Sequence, residues 1–218
     1  MESFYAVILA AGAGTRMKSD RAKVIHQLCG KPMVNWVIDA VKTSGIDKII
    51  VVTGHQEAQV RACITEDVEF VSQKEQLGTG HAVMQVKPLL QGKKGTCLVL
   101  CGDTPLITSE TIKKIIHEHT ENKREMTVLT ANFDDPKGYG RIVRDNTGCV
   151  TGIVEHRDAT SEQLQIKEIN TGIYCFEIDC LLKSLENLSN KNNQNEYYLT
   201  DALSIIRENG GKVGTTTL

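Results

Sequence analysis

Apolar residues come in short, separated runs along this chain. Residues 4–8, Phe-Tyr-Ala-Val-Ile, form a run of the kind that makes a buried strand. Residues 32–43 read as an amphipathic helix, with Pro32 suited to its first turn and Gly45 to its end. Residues 47–53 are a continuous, β-branched run, hence a second buried strand. Gly54 and His55 turn the chain into a helix over about 56–65, and 68–71 is a third, shorter strand. Strand, helix, strand, helix, strand at this spacing predicts an α/β fold with a parallel sheet covered by helices. Further on, 96–101 is a buried strand that ends in Gly102-Asp103. A helix follows from Thr108 or Ser109 to about Thr120, with Ile112, Ile115 and Ile116 on its buried face, and then a strand over 126–131. The segments 150–160 and 168–174 alternate, and each suits an edge strand. A short helix over 178–188, a polar, Asn-rich linker over 188–195 and a helix opening at 196–201 and running to about Glu208 complete the pattern.

Composition narrows the class of protein. The chain has 218 residues, 40% hydrophobic and 24% charged, enough to bury one large domain or two small ones. Its net charge of −2, without a basic block, argues against a nucleic-acid partner. The first residues show no basic stretch leading into an apolar one, and no apolar run approaches the length of a bilayer span, so neither a secretory signal nor a membrane span is expected. Seven cysteines are scattered without a Cys-x-x-Cys pair. They predict buried, reduced thiols and a cytoplasmic location. The six histidines lack zinc spacing, and His117 and His119 point to different faces of their helix.

The chemistry lies where strands end. After the first strand come Leu9, Ala10, Ala11, Gly12, Ala13, Gly14, Thr15, Arg16 and Met17, with Lys23 further on. Glycines let backbone N–H groups gather into an anion-binding nest, Arg16 offers a forked cation and Lys23 a mobile one. A Walker A loop is excluded by the missing Gly-Lys-Ser/Thr order, and a dinucleotide fingerprint by Met17 where a third glycine belongs. The same residues also suit a tight turn bearing two surface cations. Gln73-Lys-Glu-Gln76-Leu-Gly78-Thr79-Gly-His-Ala82 places two amides where they can pair with the mixed edge of a base, and Thr79 can cap the following helix. Asp103, at the carboxyl edge of the sheet, is the usual way to hold Mg²⁺ over phosphates; it also suits a plain turn before Thr104-Pro105.

Taken with Lys23-Val-Ile-His26 and Gly30-Lys-Pro-Met33, these segments resemble the signature of the sugar-1-phosphate nucleotidylyltransferases. Within that family they are most similar to the bacterial uridylyltransferases that make UDP-N-acetylglucosamine from UTP and N-acetylglucosamine 1-phosphate, joined there to a hexapeptide-repeat acetyltransferase. The resemblance implies a Rossmann-like, mostly parallel sheet with a smaller, β-rich sugar-binding part, all within one domain over 1–218. It implies that Leu9, Ala10, Ala11 and Gly12 wrap the nucleotide, that Gln73 and Gln76 meet the uracil, and that Gly78 and Thr79 contact it by backbone and hydroxyl. Arg16 and Lys23 would serve the reacting phosphates, with Mg²⁺ on Asp103. Gly102, the Gly140 backbone in Gly138-Tyr-Gly-Arg141, Glu155 and Asn170 would meet the sugar, and Tyr198 and Thr200 would close its pocket.

Two departures accompany the likeness. Where many relatives have an aromatic residue, this chain has Cys101, expected to alter packing against the ligand. The family's Gly-Val-Asn segment, whose Asn is a second protein ligand to Mg²⁺, has no match here, and neither do the hexapeptide repeats on which the family's trimer depends. A shortened chain, acting as a monomer or weak dimer with uncertain turnover, is the expectation. The competing readings are a thymidylyltransferase acting on glucose 1-phosphate and a non-catalytic sugar-nucleotide-binding module.

Overall fold

The computed structural model describes residues 3–14 and 17–218. β1 (Phe4–Ala10) leads into the glycine loop, and a 3₁₀ turn at Lys23–Ile25 and a small hairpin, β2 (Gln27–Leu28) with β3 (Lys31–Pro32), bring the chain to α1 (Met33–Thr43). Pro32 stands at the N-cap of that helix, one position before its first turn. α1 turns Val34, Val37, Ile38 and Val41 inward, the spacing of one helical face. Each such side chain contributes about 1.5–3 kcal/mol by leaving water. β4 (Lys48–Thr53), α2 (Glu57–Cys63) and β5 (Glu69–Ser72) complete two parallel crossovers.

α3 (Thr79–Met84) and α4 (Lys87–Leu90) then lead to β6 (Thr96–Cys101), which lies on the other side of β1. α5 (Ser109–Glu121), β7 (Met126–Asn132), β8 (Arg141–Arg144), β9 (Val150–Val154), β10 (Glu168–Glu177), α6 (Ile178–Glu186), α7 (Ala202–Glu208) and β11 (Val213–Thr217) follow. The sheet order is β11-β7-β10-β6-β1-β4-β5, with β8 paired to β10 and β9. All neighbours on the main path are parallel except β10, which runs antiparallel between β6 and β7. α1, α2 and α5 cover one face; α3, α4, α6 and α7 cover the other. β1 is therefore buried on both sides, Val7 towards one layer and Ala6 and Ile8 towards the other.

Three expectations need correction. The segment 168–174 belongs to an interior strand, not an edge. Its alternation mimics an edge because its polar residues bond within the protein: Asn170 to Tyr174 and Gly172, and Thr171 to the Leu129 carbonyl. β9, paired to β8 alone, is peripheral as expected, though strand occupies only 150–154 of the 150–160 segment. The helix read over 196–208 is a 3₁₀ turn, Leu199–Asp201, followed by α7. All seven cysteines are free, but only Cys97 and Cys175 are buried, and Cys29 and Cys149 are exposed. No described helix is long and apolar enough to cross a membrane.

Candidate functional site

The carboxyl ends of β1, β5 and β6 open onto a cleft of about 490 Å³, where ligands bind in sheets of this kind. Leu9, Ala11, Gly12, Gln73, Gln76 and Asp103 are among its walls. Ala10 is not; it is buried in the core layer that α1 covers. Gly102 also lies outside the walls, and its N–H donates to the Leu9 carbonyl at 2.9 Å, tying the end of β6 to β1. Thr15 and Arg16 lie outside the described residues.

Lys23 and Asp103, far apart in sequence, form an ion pair in this cleft. The 3₁₀ turn packs Lys23 against the glycine loop so closely that a Cβ on Gly14, itself at φ +61°, would stand 2.5 Å from the Lys23 Cβ. Only glycine allows that approach. Cys101 shares the wall. Partial burial, with the Asp103 carboxylate close by, pushes its thiol up to about 12. Among the described residues no three His, Cys, Asp or Glu side chains stand together as a metal cage. Asp103 supplies one carboxylate at the sheet edge, the donor set of an ion that takes its remaining ligands from phosphates and water, as Mg²⁺ does.

The loop from 73 to 80 forms a second wall. Gln73 N–H donates to the Thr53 carbonyl at 2.7 Å, continuing the β4–β5 ladder into the loop. The Gln73 side chain is buried, and its Nε2 donates to the Gly78 carbonyl at 3.1 Å. Gln76 Nε2 donates to the Gln73 carbonyl at 3.1 Å. Thr79 does not cap α3, whose N-cap is Gly78 at φ +104°. Its hydroxyl oxygen instead accepts the Leu199 N–H at 3.1 Å, because the chain at 196–199 runs alongside this loop. Tyr197 N–H donates to the Leu77 carbonyl and Gly80 N–H to the Tyr197 carbonyl, each at 2.8 Å. A Cβ on Gly78 would lie 2.6 Å from that Tyr197 oxygen.

The sugar residues named from sequence converge next to this cleft. A Cβ at Gly140 would lie 3.5 Å from both the Asn170 Cβ and a Glu155 oxygen. Thr200 donates to Glu155 at 3.4 Å. Asn170 is held at both ends: Nδ2 donates to the Tyr174 hydroxyl at 2.7 Å, and Oδ1 accepts the Gly172 N–H at 3.0 Å across a bulge in β10. Gly172 in turn packs under Cys101, which joins this group to the wall of the cleft. Burial raises the Glu155 carboxyl above its ordinary range, with Asp158, Asp201 and Glu196 adding to the rise and the Thr200 bond opposing it. In the cleft Lys23 and Asp103 offset each other, while Glu155 stands among the carboxylates of Asp158, Asp201 and Glu196.

Tyr198 is buried, and its hydroxyl is already engaged, donating to Asp158 at 3.1 Å and accepting from Gln194 at 2.6 Å. It supports the wall from behind. Sequence reasoning missed Asp158, which also accepts the Asn193 N–H at 3.2 Å and so pins the Asn-rich segment read as a linker. It missed Tyr174, which fixes Asn170. A phenol four residues beyond Asn170 in the same strand was the available signal; for Asp158 and Asn193 there was none.

Fold and cleft together define an α/β protein with a cleft at the carboxyl edge of its sheet, walled by the glycine loop, Lys23 and Asp103. The chain belongs to the nucleotidyl transferase family, whose model matches residues 5–216. It is 52% identical to the bifunctional protein GlmU of Halalkalibacterium halodurans, over 98% of this chain and 47% of that one. It is 53% identical to GlmU of Shouchella clausii, over 96% and 46% of the two chains, and 54% identical to that of a Geobacillus species, over 94% and 45%. The chain thus spans about half the length of these relatives. Among solved structures, a glucose-1-phosphate thymidylyltransferase from Bacillus anthracis in complex with a sucrose superposes with a TM-score of 0.82, covering 99% of this chain and 87% of that one. At 21% identity that likeness shows the fold.

Proposed function

We propose that this chain transfers UMP from UTP to N-acetylglucosamine 1-phosphate, releasing pyrophosphate and forming UDP-N-acetylglucosamine, a cell-wall precursor. The observation that carries the reading is the Lys23–Asp103 pair, set in one cleft with the amide-bearing loop of Gln73 and Gln76. The likeness to GlmU, at 52% identity over nearly the whole chain, supports the choice of nucleotide and sugar.

The sugar phosphate would attack the α-phosphorus in line, so the protein's work is positioning and charge stabilisation. Leu9, Ala11 and Gly12 would wrap the nucleotide, with Gln73, Gln76, Gly78 and Thr79 at its base. Glu155, Asn170, the Gly140 backbone and Thr200 would hold the sugar, turning the acceptor phosphate towards Lys23. Asp103 would hold Mg²⁺, which when bound supplies charge stabilisation to the phosphates. Arg16 keeps the pyrophosphate role that the family pattern gives it.

Calorimetric titration with UDP-N-acetylglucosamine and dTDP-glucose, both with Mg²⁺, tests the assignment. Tighter binding of the uridine compound is expected, and the reverse order overturns the reading. Asp103→Asn is expected to lower pyrophosphate release from UTP and N-acetylglucosamine 1-phosphate by about 10² or more.

A further inference from the structure

The base loop contains a ring that no role above uses. His81, in the first turn of α3, places Nδ1 3.1 Å from Gln73 Nε2 and Nε2 3.2 Å from Gln85 Nε2. We propose that His81 is a positioning residue for base selection. With its lone pair on Nδ1 and its ring proton on Nε2, it locks the Gln73 amide so that Oε1 faces the cleft as an acceptor. That oxygen would select a base presenting a ring N–H, as uracil does, over one presenting a ring acceptor, as cytosine does. The proposal rests on the uridine-nucleotide reading and adds the device that enforces it.

The argument is one of donors and acceptors. A carbonyl can only accept, so the Gly78 oxygen 3.1 Å away requires the inner atom of the Gln73 amide to be nitrogen. That nitrogen has a second hydrogen, and the atom in its path is His81 Nδ1, which therefore must accept. Both Gln73 hydrogens are then used. Its Oε1 has no donor among the described residues, and the residue lines the cleft. The ring proton is left to Nε2, facing the Gln85 amide.

Gln85 is half-buried and bonds its own helix, Nε2 donating to the His81 carbonyl at 2.9 Å. Rotating that amide exchanges this bond for one from the Nε2 proton to its oxygen. Gln73 has no such freedom, being 3% exposed. Between the two glutamines the ring therefore satisfies the buried one, because leaving a buried donor unmet costs more than losing a half-solvated bond. Without the ring acceptor, the Gly78 carbonyl alone would hold the Gln73 amide. A flipped amide, offering N–H to the cleft, would then be within reach for a cytosine ring nitrogen.

Two measurements test this. Nitrogen NMR of protein labelled at histidine, with His81 assigned by difference against His81→Asn, reads the tautomer directly; an unprotonated Nδ1 is expected. Calorimetry compares UTP with CTP on the native chain, His81→Leu and His81→Asn, the last able to offer an amide oxygen where Nδ1 stood. His81→Leu is expected to lower the UTP-to-CTP affinity ratio about tenfold or more, and His81→Asn to keep it within a few-fold. A protonated Nδ1, an unchanged ratio in His81→Leu or a lost ratio in His81→Asn overturns the proposal. Native preference for UTP would then leave the uridine reading standing. A native chain that does not prefer UTP overturns both. Should His81→Leu fail to fold, the tautomer and the His81→Asn ratio decide the matter.

Discussion

Gly78 carries a load out of proportion to its size. It sits at φ +104°, caps α3, accepts from Gln73 and leaves no room for a Cβ beneath Tyr197. Gly78→Ala is therefore expected to lose about 1–3 kcal/mol of stability by urea denaturation, from the strained φ together with the displaced Tyr197 carbonyl. UTP affinity should fall in the same variant, since the amide of Gln73 loses its fixed acceptor. An unchanged midpoint and affinity would remove Gly78 from this role. The glycine was legible in the sequence as part of a polar turn, and Asp103 as a carboxylate at a strand end. The partner of Asp103 was not. Lys23 reads as a cation near a loop, and only the turn at Lys23–Ile25 aims it across the cleft.

Among the elements, α5 and β7 share a buried polar contact that affects stability rather than the site. His119 is fully buried, with Nδ1 2.9 Å from the Thr127 hydroxyl. Burial, with Arg124 adding to it, pushes its pKa down from 6.5 to about 4; the Glu177 carboxylate, 3.6 Å from Nε2, does not offset this. The folded protein thus refuses a proton that the unfolded chain accepts near pH 6.5. The unfolded state binds more protons between those values, so stability should fall as pH drops from about 6.5 towards 4, by about 3 kcal/mol at the limit. Urea unfolding at pH 7.5 and 5.0 measures the slope. His119→Gln should start less stable at pH 7.5 and show a flatter slope, whereas an equal slope would put the titration elsewhere. Sequence periodicity found α5 and β7 within a residue or so, because both bury apolar side chains at regular spacing. It misplaced β10 because internal hydrogen bonds to Asn170 and Thr171 let polar residues sit in a middle strand. It read 188–195 as a polar linker because the bond from Asn193 to Asp158 joins residues 35 apart.

Over the whole molecule, the base loop and the wall of the sugar pocket form one body. Three hydrogen bonds, Tyr197 to Leu77, Gly80 to Tyr197 and Leu199 to Thr79, clasp 77–80 to 197–199, and Thr200 beyond them bonds Glu155. UTP alone, without sugar phosphate, is therefore expected to slow amide hydrogen exchange at Gly80, Tyr197 and Leu199 together. Protection confined to Gly80 would show that the two walls respond separately. The pairing of Lys23 with Asp103 has a further consequence, for the ionic environment. The lysine arrives with its counter-ion built into the protein, so accepting a phosphate is a swap of partners more than an import of charge. The ammonium passes to the anion, and the carboxylate is freed for a cation. Few small ions are released from solution in such an exchange, so nucleotide affinity should decline only gently as salt is raised. Simple anions, arriving without a divalent companion, would have to strip the lysine from its carboxylate unaided and make poor tenants of the cleft.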